Sequence, residues 1–279
     1  MPDKFKAVWV SHSSIADFLK CPRLYYLRNV YKDPKTGHKI TIMTPPLALG
    51  QAVHSVIESL SVIRAEERFN AKLFEKYDEE WKKVSGKMGG FKTEMEEEDY
   101  KNQGRKMLQK IVNNPGPLKN KAIKLKSDSG LPYYFLSEED NIILCGKVDW
   151  IEYLDKTDSV HIIDFKTGKN EEKEDSLQLP IYYLLAKNLQ KRNIEKISYW
   201  YLSDKNEKDI VEMKIPDEKK AYEKIYEIAK RIKLGRQIDH LKCPKGDMGC
   251  YACRDLESIL HGKGKKVGES EYHQDIHVL

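Results

Sequence analysis

The chain has 279 residues, 40% apolar and 33% charged, enough to build one large core or two small ones. Lys and Arg number 49 against 44 Asp and Glu, so the net charge of +5 permits a nucleic-acid partner without arguing for one. No stretch reaches the roughly 18 apolar residues of a membrane span, and the opening Met-Pro-Asp-Lys-Phe-Lys has no apolar signal core. The expected location is therefore the cytoplasm, with no membrane partner, and the five cysteines read as metal chemistry or packing rather than disulfides.

After a short strand-like opening, Ser11, Ser13 and Ser14 offer caps for a helix over 15–20, and Pro22 opens a second one through Val30. Residues 33–46, rich in Pro, Gly, Thr and Lys, read as a loop. Leu49, Ala52, Val53, Val56, Ile57, Leu60 and Ile63 then recur at helical spacing, with His54 off the centre of the stripe and Glu58 one turn further on. Helices follow over 66–84 and 100–112. Between them Gly-Lys-Met-Gly-Gly-Phe91-Lys-Thr lacks the glycine that a phosphate-binding loop carries before Lys-Thr, so it reads as an ordinary loop.

Asn-Asn-Pro-Gly-Pro at 113–117 breaks the helical region. Stretches 122–126, 133–136 and 142–153 read as an antiparallel meander, followed by a strand over 160–165. A helix over 177–189 holds Pro180 in its first turn. Strands over 197–202 and 210–215 precede a long helix, 216–234, with Tyr222, Ile225, Tyr226, Ala229 and Ile232 as its apolar stripe. The expected fold class is α/β, a mixed sheet flanked by helices with an N-terminal helical section. Residues 261–279 read as a poorly ordered tail.

The stretch that organises the rest runs from 142 to 182: Gly-Lys-Val-Asp149, a charged turn, Asp164-Phe-Lys166, then Gln178-x-x-x-Tyr182. Asp164 and Lys166 are two apart on a strand and share a face, with Phe165 turned away. Two carboxylates and an ammonium are costly to gather unless something binds among them, and a hard divalent cation is the natural occupant.

This order of motifs resembles the PD-(D/E)XK nucleases, specifically their RecB-like branch, and Leu-Gly50-Gln-Ala-Val-His54 is similar to the helix on which that branch carries a metal-binding histidine. The segment Phe18-Leu-Lys-Cys21-Pro22-Arg-Leu-Tyr-Tyr resembles the opening of the same branch. The resemblance implies a restriction-endonuclease-like sheet. It implies that His54, Asp149, Asp164 and the backbone carbonyl of Phe165 hold Mg²⁺ or Mn²⁺, and that Lys166 orients or deprotonates the attacking water. Gln178 and Tyr182 would face the same site, although Tyr182 reads equally well as helix packing. Arg23, Lys169 and Lys173 are candidates for a phosphate path or simply a solvated face.

Cys243, Cys250 and Cys253 lie close enough in sequence to form a metal or cluster site whose missing fourth ligand Cys21 can supply. Spacing alone does not separate Zn²⁺ from an iron–sulfur cluster. One N-terminal cysteine with three C-terminal ones resembles the iron–sulfur members of the branch, AddB-type and CRISPR-associated, which implies a [4Fe-4S] cluster. The usual cysteine after the Cys-x-x-Cys pair is absent, and Cys243 precedes the pair instead. Cys145, in an apolar strand, reads as a small buried residue.

The domain reading is 1–118 as a helical section, 119–236 as the nuclease core, 237–260 as the cysteine region and 261–279 as the tail. The expected function is a metal-dependent DNA nuclease, an exonuclease on single-stranded ends in repair, recombination or CRISPR adaptation, working with a helicase or an adaptation partner. The competing readings are a DNA-binding iron–sulfur or zinc protein with a vestigial nuclease centre, and a metal-binding scaffold without nucleic acid.

Overall fold

The computed structural model describes residues 3–69, 72–127, 130–203, 209–246 and 249–279. In chain order the elements are β1 Val8–Val10, α1 His12–Lys20, α2 Pro22–Tyr25 continued by a π-helical turn Tyr26–Val30, β2 Lys39–Ile42, α3 Pro45–Ser59, α4 Lys72–Lys82 and α5 Glu94–Asn113. There follow β3 Tyr133–Ser137, β4 Ile142–Cys145, β5 Trp150–Leu154, β6 Ser159–Lys166, α6 Gln178–Leu189, β7 Asn193–Tyr201 and β8 Ile210–Met213. The chain closes with α7 Glu218–Gln237, α8 Arg254–Leu260, β9 Lys265–Glu269 and β10 Gln274–Val278. This is the mixed α/β architecture expected from the sequence.

The chain divides into two compact units, one built from Met1–Thr44, Phe135–Cys145 and Glu223–Leu279, the other from Pro45–Tyr134 and Gly146–Tyr222. The first unit holds two three-stranded sheets, ordered β1-β4-β3 and β2-β10-β9. Its helix α1 starts on a reciprocal cap: Ser14 N–H donates to Ser11 Oγ (3.2 Å) and Ser11 N–H to Ser14 Oγ (2.8 Å).

The second unit is built on the sheet β5-β6-β7-β8, in which β6 and β7 run parallel and the outer pairs antiparallel. Strand β6 is buried along its length save for Lys166, as an inner strand with neighbours on both edges must be. Helix α6 buries Leu179, Ile181, Leu184 and Leu185, and Pro180 sits in its first turn, where no helical N–H is needed. The stripe expected on α3 is buried as predicted at Leu49, Ala52, Val53, Val56 and Ile57.

Several expectations need correction. The stretch 142–153 is not one strand of a meander: it breaks at 146–149, with β4 joining β1 and β3 while β5 joins β6. Residues 122–126 contribute one isolated bridge, Ala122 to Glu152. The 33–46 loop contains β2, and the supposed tail contains β9 and β10, the latter the middle strand of its sheet. Few apolar side chains mark these strands. Backbone ladders to partners more than 200 residues away hold β2, and no local pattern announces such a pairing. Helix α4 begins at Lys72 rather than 66; Asn70 and Ala71 lie outside the described residues. The four sequence segments also cut across the two units, since 1–118 contributes to both.

Candidate active site

The site in the second unit starts from the end of β6. There Asp164 is 1% exposed, and the following Lys166 lies on the same face and is half-buried. Lys166 Nζ lies 2.9 Å from Asp164 Oδ2 and 3.2 Å from Glu172 Oε2, and it donates to Gln178 Oε1 on the first turn of α6. Gln178 Nε2 donates to Asp164 Oδ1 (2.6 Å) and to Tyr182 Oη (3.3 Å), so one amide ties the lysine, the acid and the tyrosine together. Phe165 turns to the other face, its ring 5.5 Å from that of Trp200, and its N–H donates to Asp149 Oδ2 (3.0 Å).

Asp149 ends the break before β5 and meets His54 from α3, with Nδ1 to Oδ2 at 3.2 Å. Helix α3 runs close to the end of β6 at Gly50, one turn before His54: a Cβ there would come within 3.2 Å of Thr167 Oγ1, tighter than nine in ten real contacts. His54, Glu58 and Asp149 have ligand atoms all within 4.8 Å of one another. Asp164 stands outside that trio, yet its charge acts on both His54 and Asp149.

The electrostatics describe a site short of positive charge. Burial, reinforced by Asp149, pushes the Asp164 carboxyl up to about 7. Its Oδ2 is fully buried and makes no well-directed hydrogen bond, although the Lys166 ammonium stands 2.9 Å away. Burial alone would lower the Lys166 and His54 pKa values, but Asp164 and Glu172 around the lysine, and Asp149 beside the histidine, raise both on balance. An imidazole and three carboxylates, one of them with an under-satisfied buried oxygen, fit a divalent cation, which would draw Asp164 back to its charged form.

A family model described as the PD-(D/E)XK nuclease superfamily matches residues 9–254, a span holding every residue of this site. The chain belongs to that superfamily. No curated protein sequence matches the chain. PD-(D/E)XK proteins are metal-dependent nucleases, phosphodiester hydrolases that work with divalent cations, and the donor set of this member agrees with that chemistry. Among the described residues no helix is long and apolar enough to cross a membrane.

Sequence reasoning assembled His54, Asp149, Asp164, Lys166, Gln178 and Tyr182, and the geometry joins them through the contacts above. It noticed Glu58 only as a neighbour of His54; the spacing of four on one helix was the available signal. Glu58 also pairs with Lys147. Glu172 was missed altogether, because it lies in a polar segment between β6 and α6 with no periodicity to mark it.

The PD-(D/E)XK match also spans the four cysteines, all within the first unit. Cys21, Cys243, Cys250 and Cys253 bring their sulfurs within 4.8 Å of one another, and none forms a disulfide. Leu24, Leu27, Ile40, Leu256 and Ile259 pack around them. Cys250 N–H donates to Cys253 Sγ (3.2 Å) and Lys245 N–H to Cys243 Sγ (3.4 Å). Burial acts upward on Cys250, but the N–H groups of Ala252 and Cys253 outweigh it and bring that thiol down to about 7; burial drives Cys253 up to about 12. Such a four-sulfur group is suited to a metal ion or cluster. Cys145 is buried away from it, its Sγ 3.4 Å from Val10 O, as a packing residue. Arg23, a candidate for the phosphate path, instead chelates Glu257 on α8 at 2.6 and 3.3 Å.

Proposed function

We propose that the protein is a deoxyribonuclease of the RecB-like type, acting as an exonuclease on single-stranded DNA ends. The observation that carries this reading is the set His54, Asp149, Asp164 and Lys166, contributed by three separate segments, in which His54 meets Asp149 and Gln178 ties Lys166 to Asp164. In this reading His54, Asp149, Asp164 and the Phe165 carbonyl hold Mg²⁺ or Mn²⁺, with Glu58 available as a further ligand. Bound there, the cation supplies Lewis-acid polarisation of the phosphoryl oxygens and lowers the pKa of the attacking water. Lys166 orients that water and offsets charge that builds on the phosphate. Gln178 fixes the Lys166 ammonium against Asp164, and Tyr182 buttresses the amide of Gln178. An imidazole among the ligands favours Mn²⁺ over Ca²⁺.

The four thiolates hold a [4Fe-4S] cluster in this reading, with Zn²⁺ the alternative that the same ligands accept. The cellular role is end processing in repair, recombination or CRISPR adaptation, alongside a helicase or an adaptation partner. A vestigial centre is disfavoured because no member of the His, Asp, Asp and Lys set is lost.

The test uses end-labelled linear and covalently closed circular single-stranded DNA with Mn²⁺, Mg²⁺ or EDTA, and Asp164→Ala as control. Metal-dependent loss of label from the linear strand alone is expected. Cleavage that persists in EDTA or in the Asp164 variant overturns the assignment, and rapid cutting of circles replaces exonuclease by endonuclease. Brown visible absorption that bleaches under iron chelation distinguishes the cluster from zinc.

A further inference from the structure

The sheet β2-β10-β9 gathers another set of metal-binding side chains, sharing no residue with either site above. Strand β2 runs parallel to β10 with Lys39 beside Gln274, so the residues just before them, His38 and His273, arrive level with each other on neighbouring strands. Strand β9 runs antiparallel to β10 with Glu269 opposite Asp275, which brings its final residue to the same end of the sheet. Backbone register alone therefore converges two imidazoles and a carboxylate.

The side chains complete the arrangement. His38, Glu269 and His273 have ligand atoms all within 4.8 Å of one another. Glu269 lies between the imidazoles, Oε1 being 2.7 Å from His273 Nδ1 and Oε2 3.7 Å from His38 Nδ1. Neighbouring ligands around a tetrahedral zinc ion with bonds of about 2.0–2.1 Å sit about 3.3 Å apart, inside the 4.8 Å spread of these three groups.

Two features make this more than a surface ion pair. Asp275, 1% exposed, accepts from Thr36 Oγ1 (2.6 Å) and Lys266 Nζ (2.6 Å) and faces His38 Nδ1 at 3.1 Å. Asp275 thereby fixes the His38 ring by its Nδ1 edge, so that a metal is taken on the other nitrogen, Nε2, the division of roles that metal-bound histidines show. His273 also holds the left-handed backbone, φ 53°, which among residues other than glycine histidine is one of the few to tolerate, and its Nδ1 there meets Glu269. Glu269 and His273 fall beyond residue 254, outside the span of the family match.

We propose that His38, Glu269 and His273 bind one divalent transition ion of the zinc class, completed by water, which clamps the β9-β10 hairpin to the segment leading into β2. Two imidazoles and a single carboxylate select Zn²⁺, Ni²⁺ or Cu²⁺ over Mg²⁺ or Ca²⁺.

The test titrates Zn²⁺ into the full chain with the thiol site as purified and excess Mg²⁺ present to fill the oxygen-rich centre. Binding is followed by calorimetry and by NMR of ¹⁵N-labelled histidine side chains. His273→Asn removes the ligand while keeping a residue that tolerates the left-handed backbone, and His38→Gln and Glu269→Gln remove the others singly. The wild type is expected to take up one Zn²⁺ more than His273→Asn, with the His38 and His273 ring signals moving together. Glu269→Gln is expected to bind at least tenfold more weakly. Equal zinc uptake in wild type and His273→Asn, or imidazole signals that stay put when Zn²⁺ is added to the wild type, overturns the proposal whether or not each variant folds.

Discussion

Gln178 occupies the point at which the lysine and the buried acid of the nuclease site meet, and its amide satisfies one with oxygen and the other with nitrogen. Replacing it by alanine leaves Asp164 Oδ1 without its donor and frees the Lys166 ammonium to swing. Gln178→Ala is therefore expected to lower kcat about 10–100-fold with little change in the circular dichroism spectrum. Tyr182→Phe, which removes one long 3.3 Å contact, should cost far less, and equal losses in the two would assign the effect to helix packing. Lys166→Ala and Asp149→Ala should abolish measurable cleavage outright. The acids and the lysine were legible in the sequence because a two-residue spacing on a strand fixes their common face. Contacts such as His54 to Asp149 were not, since they depend on how α3 meets the break at 146–149, a matter of tertiary packing. Glu172 left no pattern at all.

At the scale of elements, the close approach of α4 and α5 depends on a residue without a side chain. A Cβ on Gly104 would sit 2.0 Å from Tyr77 Oη and 3.0 Å from Leu49 Cδ1. Glycine to alanine in a helix ordinarily stabilises by about 1 kcal/mol, but here the sign should reverse. Gly104→Ala is expected to lower stability by roughly 1–3 kcal/mol in urea unfolding. On the face of the sheet opposite Asp164, buried His161 lies between Glu152 Oε2 (2.8 Å) and Ser198 Oγ (2.7 Å), and Asn120 donates to Glu152 Oε1 (2.6 Å). This resembles a catalytic relay in its order, but Ser198 is 0% exposed, so no substrate reaches its oxygen. Its role is to satisfy a polar group inside the sheet. Ser198→Ala should cost about 1–3 kcal/mol, measured in the same way, with cleavage unchanged in folded protein. Elements with apolar periodicity, such as α3, α6 and β6, were readable from the sequence, whereas β2, β9 and β10 exist through ladders between distant segments and carry little apolar signature of their own.

Across the molecule, the ends of the chain are fastened by chemistry of two kinds. Lys266, Thr36 and His38 together overcome the burial of Asp275 and hold its carboxyl down at about 2. A group whose pKa is depressed on folding adds stability that is complete above its unfolded value, about 4, and is lost as pH falls towards its folded value. The first unit should thus lose roughly 2 kcal/mol between about pH 4 and 2, and Asp275→Asn should flatten that segment of the stability profile while lowering stability at neutral pH. The thiol site joins residue 21 to residues 243–253. Cys21→Ser is expected to empty the site and lower the melting temperature, whereas Cys145→Ser should leave the metal content of purified protein unchanged. The grouping of Cys243, Cys250 and Cys253 was anticipated from their spacing and the addition of Cys21 from the family resemblance, while the division into interleaved units was not, because it follows from which segments pair and not from any local signal.

That interleaving bears on synthesis. The segments of the second unit have all emerged once residue 222 leaves the ribosome, whereas the first unit still waits for 223–279, which bring three of its four sulfurs and the central strand of one sheet. At about 5–20 residues per second the delay is roughly 3–11 s. Throughout it Cys21 and the apolar surface of α1 and α2 remain uncovered, so cofactor insertion, chaperone engagement and oxidative damage all compete in one interval set by translation speed.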